Sequence, residues 1–236
     1  MNRLRSVLFG ICFYSISTPL AVAYAVMLVM PRQAMTWGMR VWAQLVIMGL
    51  RVIAGIRVEV RGLEHRPDGA ALVAAKHQCM LDFIVPLAML PDTCFVLKKE
   101  LMLIPFFGWI AAKSRMIPID REARAKALKD MLRAARDRMK DPRQIVIFPE
   151  GTRQAPGAPP DYKPGVAALY RELGLACTPV ATNSGVHWAR GFPSKPGIIV
   201  LEFLPAIPPG LNRKAFMQQL QARIEAASDA LLAAGL

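Results

Sequence analysis

Only four cysteines occur among the 236 residues, at positions 12, 79, 94 and 177. No two of them form a Cys-x-x-Cys pair, so neither a zinc site nor a thioredoxin-type motif is indicated. Reduced thiols in a cytosol-facing domain are the simplest account. Acidic residues are scarce as well, 17 against 30 lysines and arginines, which leaves a net charge of +13. Two kinds of partner attract such a chain, nucleic acid and anionic lipid. Neither zinc-finger spacing nor an RNA-recognition signature is present, which argues against nucleic acid. Gly-x-Ser-x-Gly is also missing, so no serine-esterase nucleophile elbow is expected. There is no internal repeat and no long disordered tract.

Charge is absent altogether from Ser6 to Met30. At roughly 25 residues that stretch is long enough to span a bilayer. Pro19 interrupts it, so a kinked or re-entrant helix is as compatible with the sequence as a straight one. Arg3 and Arg5 with Ala21-Val22-Ala23 also resemble a secretory signal, but the apolar run continues past that site. A second apolar stretch, Met35 to Ile56, carries Arg40 and Arg51. It reads as an amphipathic helix in the membrane interface, with Trp37 and Trp42 at headgroup depth and the arginines snorkelling. Residues 1–56 are therefore expected to form a two-helix membrane motif, and 57–236 a second, α/β unit. Basic residues flank the first run on both sides, so the positive-inside rule selects no orientation, and a hairpin dipping into one leaflet keeps both flanks cytoplasmic.

Beyond Ile56 the periodicity changes. Arg57 to Gly62 alternates like a half-buried strand, whereas Ala70 to Ala75 is apolar throughout, like a buried one. Further strands are expected at Thr93–Leu97, Met116–Ile119, Gln144–Phe148, Ala176–Ala181 and Gly197–Leu204. Helices are expected at Phe83–Leu90, Arg121–Lys140, Gly165–Leu173 and Phe216–Ala234. Leu101 to Ala112, with Pro105 and Gly108, reads as apolar and irregular. Strands alternating with helices predict an α/β fold, a mixed central sheet flanked by helices.

Two segments carry chemistry. In Lys76-His77-Gln78-Cys79-Met80-Leu81-Asp82, a histidine able to accept a proton near neutral pH precedes by five residues a carboxylate able to orient it. On one continuous helix that offset is about 140°, so the two would not share a face. The spacing works if His77 lies in the turn after a strand and Asp82 in the first turn of the next helix. Cys79 is a candidate thiol nucleophile. Packing of the turn is its alternative, and direct transfer then needs His77 alone as base. The second segment, Phe148-Pro149-Glu150-Gly151-Thr152-Arg153, leaves a strand for a loop. Gly151 permits close backbone approach. Arg153 can hold a phosphate by two parallel hydrogen bonds. Glu150 is suited to bind a hydroxyl or to brace Arg153.

The order of His77-Gln78-x-x-x-Asp82, Lys98-Lys99-Glu100-Leu101, Ile104 to Trp109, Ile119-Asp120-Arg121, Phe148 to Arg153 and Thr178-Pro179-Val180-Ala181 resembles the glycerolipid acyltransferase family. The likeness is to its bacterial 1-acyl-sn-glycerol-3-phosphate acyltransferases and covers about residues 55–210. It implies an enzyme moving a fatty acyl chain from acyl-CoA or acyl-carrier protein to the sn-2 hydroxyl of a lysophospholipid, giving phosphatidic acid. It implies His77 as general base, oriented by Asp82. Glu150, Gly151, Thr152 and Arg153 would bind the acceptor's glycerol phosphate, assisted by Arg121 and by Lys98 or Lys99, with Pro179 shaping the site. Cys79 stands where such proteins often have serine. Pro105 to Trp109 would line an acyl tunnel or face the membrane. No metal and no cofactor are implied. The expected setting is the inner, cytoplasmic membrane, on an anionic surface, with the catalytic domain facing the cytosol and no nucleic acid bound. The same chemistry on another lysolipid, such as a lyso-ornithine lipid, and a non-catalytic lipid-binding protein are the alternatives.

Overall fold

Short apolar runs build the centre of the molecule, which a computed structural model describes for residues 2–189, 191 and 195–235. They form seven strands: β1 (Ile56–Arg61), β2 (Ala71–Ala75), β3 (Thr93–Lys98), β4 (Ile117–Ile119), β5 (Gln144–Ile147), β6 (Cys177–Thr182) and β7 (Gly197–Phe203). The sheet order is β1-β7-β6-β2-β5-β3-β4. Every neighbouring pair is parallel except β6–β7, which makes the sheet mixed, as the sequence leads one to expect. All five residues of β2 are buried, the pattern of a parallel strand covered on both faces.

Alternate side chains go to opposite layers. Val73, Ala75 and Val146 join one apolar cluster, and Leu72, Ala74, Ile145 and Ile147 join the other. Helices α5 (Arg124–Arg138), α6 (Gly165–Leu173) and α8 (Arg213–Ala233) cover the second layer through Met131, Ala135, Val166, Leu169, Phe216 and Leu220. The first layer is covered by α1 (Asn2–Met27), α2 (Arg32–Gly49), α3 (Leu81–Met89) and α4 (Phe107–Lys113), with the short α7 (Ser184–His187) beyond β6.

Helices α1 and α2 form an antiparallel hairpin: Trp42 Nε1 donates to Ser17 Oγ at 2.9 Å, and Tyr24 packs on Gly38. Helix α1 is continuous through Pro19. Among the described residues it is the one helix long and apolar enough to cross a membrane, by length and composition. Helix α2 differs from the interfacial helix expected of it. Trp37 is exposed, but Trp42 faces α1, and Arg40 donates to the carbonyls of Leu90 and Pro91 instead of reaching outward. The arginine satisfies carbonyls that the end of α3 leaves open. Phe9, Met39, Ala43, Val46 and Leu50 share one core with Val73, Ile84 and Ile199, so the hairpin packs as part of the α/β body.

Pro179 sits inside β6, a strand paired on both sides. It is tolerated because its nitrogen turns to the β7 side beyond Phe203, where the ladder is interrupted before the isolated bridge between Cys177 and Ile207.

Candidate active site

The parallel strands deliver their carboxyl ends to one edge of the sheet, where loops can converge. His77 follows β2, Lys99 follows β3, Arg121 follows β4, Glu150 follows β5 and Ser184 follows β6. The expected turn-then-helix geometry is what the chain adopts: His77 precedes α3 and Asp82 lies in its first turn. His77 Nδ1 is 3.2 Å from Asp82 Oδ2. The same oxygen accepts the backbone N–H groups of Gln78 at 2.5 Å and Cys79 at 2.7 Å. Asp82 Oδ1 accepts the Ser184 hydroxyl at 2.6 Å. Asp82 is 1% exposed, and this many donors fix the orientation of its carboxylate. An acceptor at Nδ1 places the proton there, which leaves Nε2 as the nitrogen able to take another. The imidazole stacks on Phe148, with ring centroids 4.0 Å apart.

Ser184 was not legible as part of the site, because nothing in its local sequence marks it. Ser184→Ala removes one charged hydrogen bond from Asp82. We expect kcat to fall about tenfold with KM nearly unchanged, measured by steady-state kinetics on the purified variant.

Glu150 turns inward. Its carboxylate is fully buried and accepts the backbone N–H of His77 at 2.8 Å and the ammonium of Lys76 at 3.2 Å. It braces the backbone of His77, not Arg153. Lys76 also donates to Glu225 of α8 at 2.8 Å, and Tyr162 donates to the same carboxylate. Burial opposes charge on Lys76, but the hydrogen bond to Glu225 and the charges of Glu150 and Glu225 outweigh it and hold its pKa above the ordinary lysine value. Tyr162 and Glu225 are further residues that no motif announced, and Lys76, although next to His77 in its segment, was given no role there.

The loop after Glu150 closes over the histidine, since Gln154 N donates to His77 O at 2.8 Å. Arg153 is thus the residue before a direct contact with the His77 backbone. Arg153 and Thr152 are exposed, and Arg153 has no ion-pair partner among the described residues. Gly151 has φ +69, and a Cβ there would stand 3.8 Å from the Arg121 guanidinium. Lys99 pairs with Asp120 at 2.6 Å; that bond raises the lysine's pKa and lowers the aspartate's. The Arg121 guanidinium thus lies against Gly151, whose loop runs on through Thr152 and Arg153 to the backbone of His77, and Lys99 pairs with the residue before Arg121. Pro179 stays in the sheet, adjacent to Val180, whose carbonyl accepts Lys76 N.

Cys79 is buried, and its Sγ accepts Leu81 N. Burial, then the charge of Asp82, pushes its thiol far above the ordinary range, so it supplies no thiolate. Among the described residues no group of histidines, cysteines and carboxylates is placed to hold a metal.

An apolar cavity lies beside this cluster. It holds about 730 Å³, counting its open mouth, between Leu20 and Tyr24 of α1, Trp42 of α2, Phe83 and Leu87 of α3, and Phe107 of α4. Stacked rings lead to it from His77: Phe148 lies 6.0 Å from Phe95, and Phe95 lies 4.1 Å from Phe83.

The chain is similar to known proteins. The family model described as Acyltransferase matches residues 57–183. The 1-acyl-sn-glycerol-3-phosphate acyltransferase of Pseudomonas aeruginosa is 35% identical over 186 residues, 78% of this chain and 72% of that protein. The protein of the same name from Helicobacter pylori is 32% identical over 164 residues, 66% of this chain and 68% of that one. The crystal structure of the 1-acyl-sn-glycerophosphate (LPA) acyltransferase PlsC from Thermotoga maritima superposes with a TM-score of 0.82 at 22% identity, over 99% of this chain and 98% of that one. The last likeness shows the fold.

Proposed function

The chain belongs to the acyltransferase family, and from that premise we propose that it esterifies the sn-2 hydroxyl of 1-acyl-glycerol-3-phosphate, giving phosphatidic acid. The observation carrying this reading is that the loop bearing Arg153, which has no ion-pair partner among the described residues, is tied to an oriented histidine: Gln154, next to Arg153, bonds to the backbone of His77 itself. A glycerol phosphate held by Arg153 would then offer its hydroxyl to His77.

His77 Nε2 takes the proton of the acceptor's hydroxyl. The freed oxygen electron pair attacks the thioester carbonyl of acyl-CoA or acyl-carrier protein. The tetrahedral intermediate collapses with cleavage of the C–S bond, and the departing thiolate recovers the proton from the imidazolium. Asp82 stabilises that imidazolium while it lasts. Inertness of Cys79 favours this direct transfer over an acyl-enzyme. Arg153 and Arg121 hold the phosphate, with Thr152, Lys99 and the backbone at Gly151 at its edge, and Glu150 and Pro179 fix the loop and strand behind it. The cavity is lined by apolar side chains, as an acyl chain requires. Helix α1 would seat the enzyme in the inner membrane, with the site on the cytosolic, anionic surface.

Arg153→Ala separates a phosphate acceptor from one without it. Losing a charged hydrogen-bonded pair should raise KM for the lysophosphatidate about thirtyfold with a smaller change in kcat. A KM that stays put would remove the phosphate from Arg153 and favour an acceptor such as a lyso-ornithine lipid.

A further inference from the structure

Between β3 and α4 the chain holds apolar side chains away from the protein. Leu103 is 81% exposed, Ile104 47% and Trp109 52%, and Pro105 is exposed between them. A loop tip of small polar residues is the usual solution in water, and a contiguous apolar one marks an interaction surface.

The backbone fixes this tip in place. Phe106 has φ +63 and ψ −53, and Phe107 N donates to Pro105 O at 2.7 Å, which is a γ-turn of the rare, strained hand. Gly108 N donates to Ile104 O at 2.8 Å, and a Cβ on Gly108 would meet Met102 O at 2.0 Å. Only glycine allows that approach. Strain of this kind persists where the surrounding contacts enforce it. Leu103 and Ile104 are therefore thrust outward by construction.

Position names the occupant. Phe107 and Ile110 of α4 line the same cavity as Leu20, Ala21 and Tyr24 of α1, so the loop lies across the cavity from the helix long enough to enter a bilayer. The other side of α1 exposes Val22 and Val26. Lys98, exposed at the end of β3, and Lys113, half-buried at the end of α4, put a cation at each end of this segment. Apolar tip plus basic rim is the pairing that an anionic lipid interface binds.

We infer that the Leu103–Trp109 loop is a second membrane contact, inserting its apolar tip among the acyl chains so that the cavity mouth opens at lipid level between it and α1. A lysolipid would then enter sideways from the bilayer, its phosphate staying at the headgroup plane beside Arg121 and Arg153. The inference rests on α1 lying in a bilayer.

The test uses the full chain with Cys12→Ser, the other cysteines being buried. An environment-sensitive fluorophore is attached at Leu103→Cys, at Val26→Cys on α1, or at Lys129→Cys on α5. In vesicles of phosphatidylethanolamine and phosphatidylglycerol, the labels at 103 and 26 should shift to the blue and be quenched by spin-labelled acyl chains, and the label at 129 should not. Quenching at 26 without quenching at 103 overturns the loop contact and leaves the anchoring of α1 intact. No quenching at either position overturns both. In parallel, Leu103→Asp with Ile104→Asp should lower the rate on lysolipid carried in vesicles about tenfold and leave the rate on a short-chain, molecularly dissolved acceptor unchanged. Equal loss on both acceptors would count against the loop contact.

Discussion

His77→Ala should reduce kcat about a thousandfold, since a positioned general base contributes on the order of 10²–10⁴. KM for the lysolipid should hold, because Arg121 and Arg153 keep their positions. The fold should hold too: the contact of His77 with Glu150 is made by its backbone N–H, which alanine retains. What the variant loses is the imidazole and its stack on Phe148. Single-turnover rates on purified wild type and variant, with thermal melts alongside, separate chemistry from folding. Product formation at the wild-type rate would remove His77 from the mechanism and return the chain to a lipid-binding role.

A different loss is expected of Lys76→Met. Lys76 is 3% exposed and lies between Glu150 and Glu225, and among the described residues it is the only cation touching either. Methionine keeps much of the volume and removes the charge, leaving two carboxylates facing each other in a region screened from water. Breaking a buried ion cluster in this way costs about 3–5 kcal/mol, to be read as a lower denaturant midpoint at constant m-value. The sign of the pH dependence is fixed. Burial holds the folded-state pKa of Glu150 above its unfolded value, and the Lys76 ammonium is what opposes that rise. In the variant the stabilising contribution of Glu150 is complete only below the unfolded value of about 4.3 and is lost as pH rises through the folded one, so the deficit shrinks towards acid. Adding Glu150→Gln and Glu225→Gln should restore most of the midpoint. An unshifted midpoint in Lys76→Met alone would show that the cluster bears no weight.

The parts of the fold legible in the sequence are those whose physics is local. Ala70–Ala75 announces β2 because a strand covered on both faces needs unbroken apolar residues. Gly165–Leu173 is bounded as read, since Gly174, at φ +59, ends it. Helix α4 was hidden by Pro105 and Gly108, which normally break helices but here build the turn that starts one. The placement of His77 before Asp82 followed from helix geometry. The contact of Ser184 with that aspartate did not, because it spans 102 residues and exists only through the pairing of β6 with β2. Arg40 and Trp42 looked like interfacial residues because any sequence rule sees their type and not the partners that draw them inward. Glu225 carries no signal at all: one carboxylate on an amphipathic helix resembles every other.

That last residue has a consequence in time. The backbone amide of His77 hangs on Glu150, Glu150 shares Lys76 with Glu225, and Glu225 belongs to α8, the final helix described. During synthesis the apolar hairpin leaves the ribosome long before this clasp can fasten. A growing polypeptide already engaged with lipid would therefore stay catalytically silent until its closing helix had folded back onto the sheet.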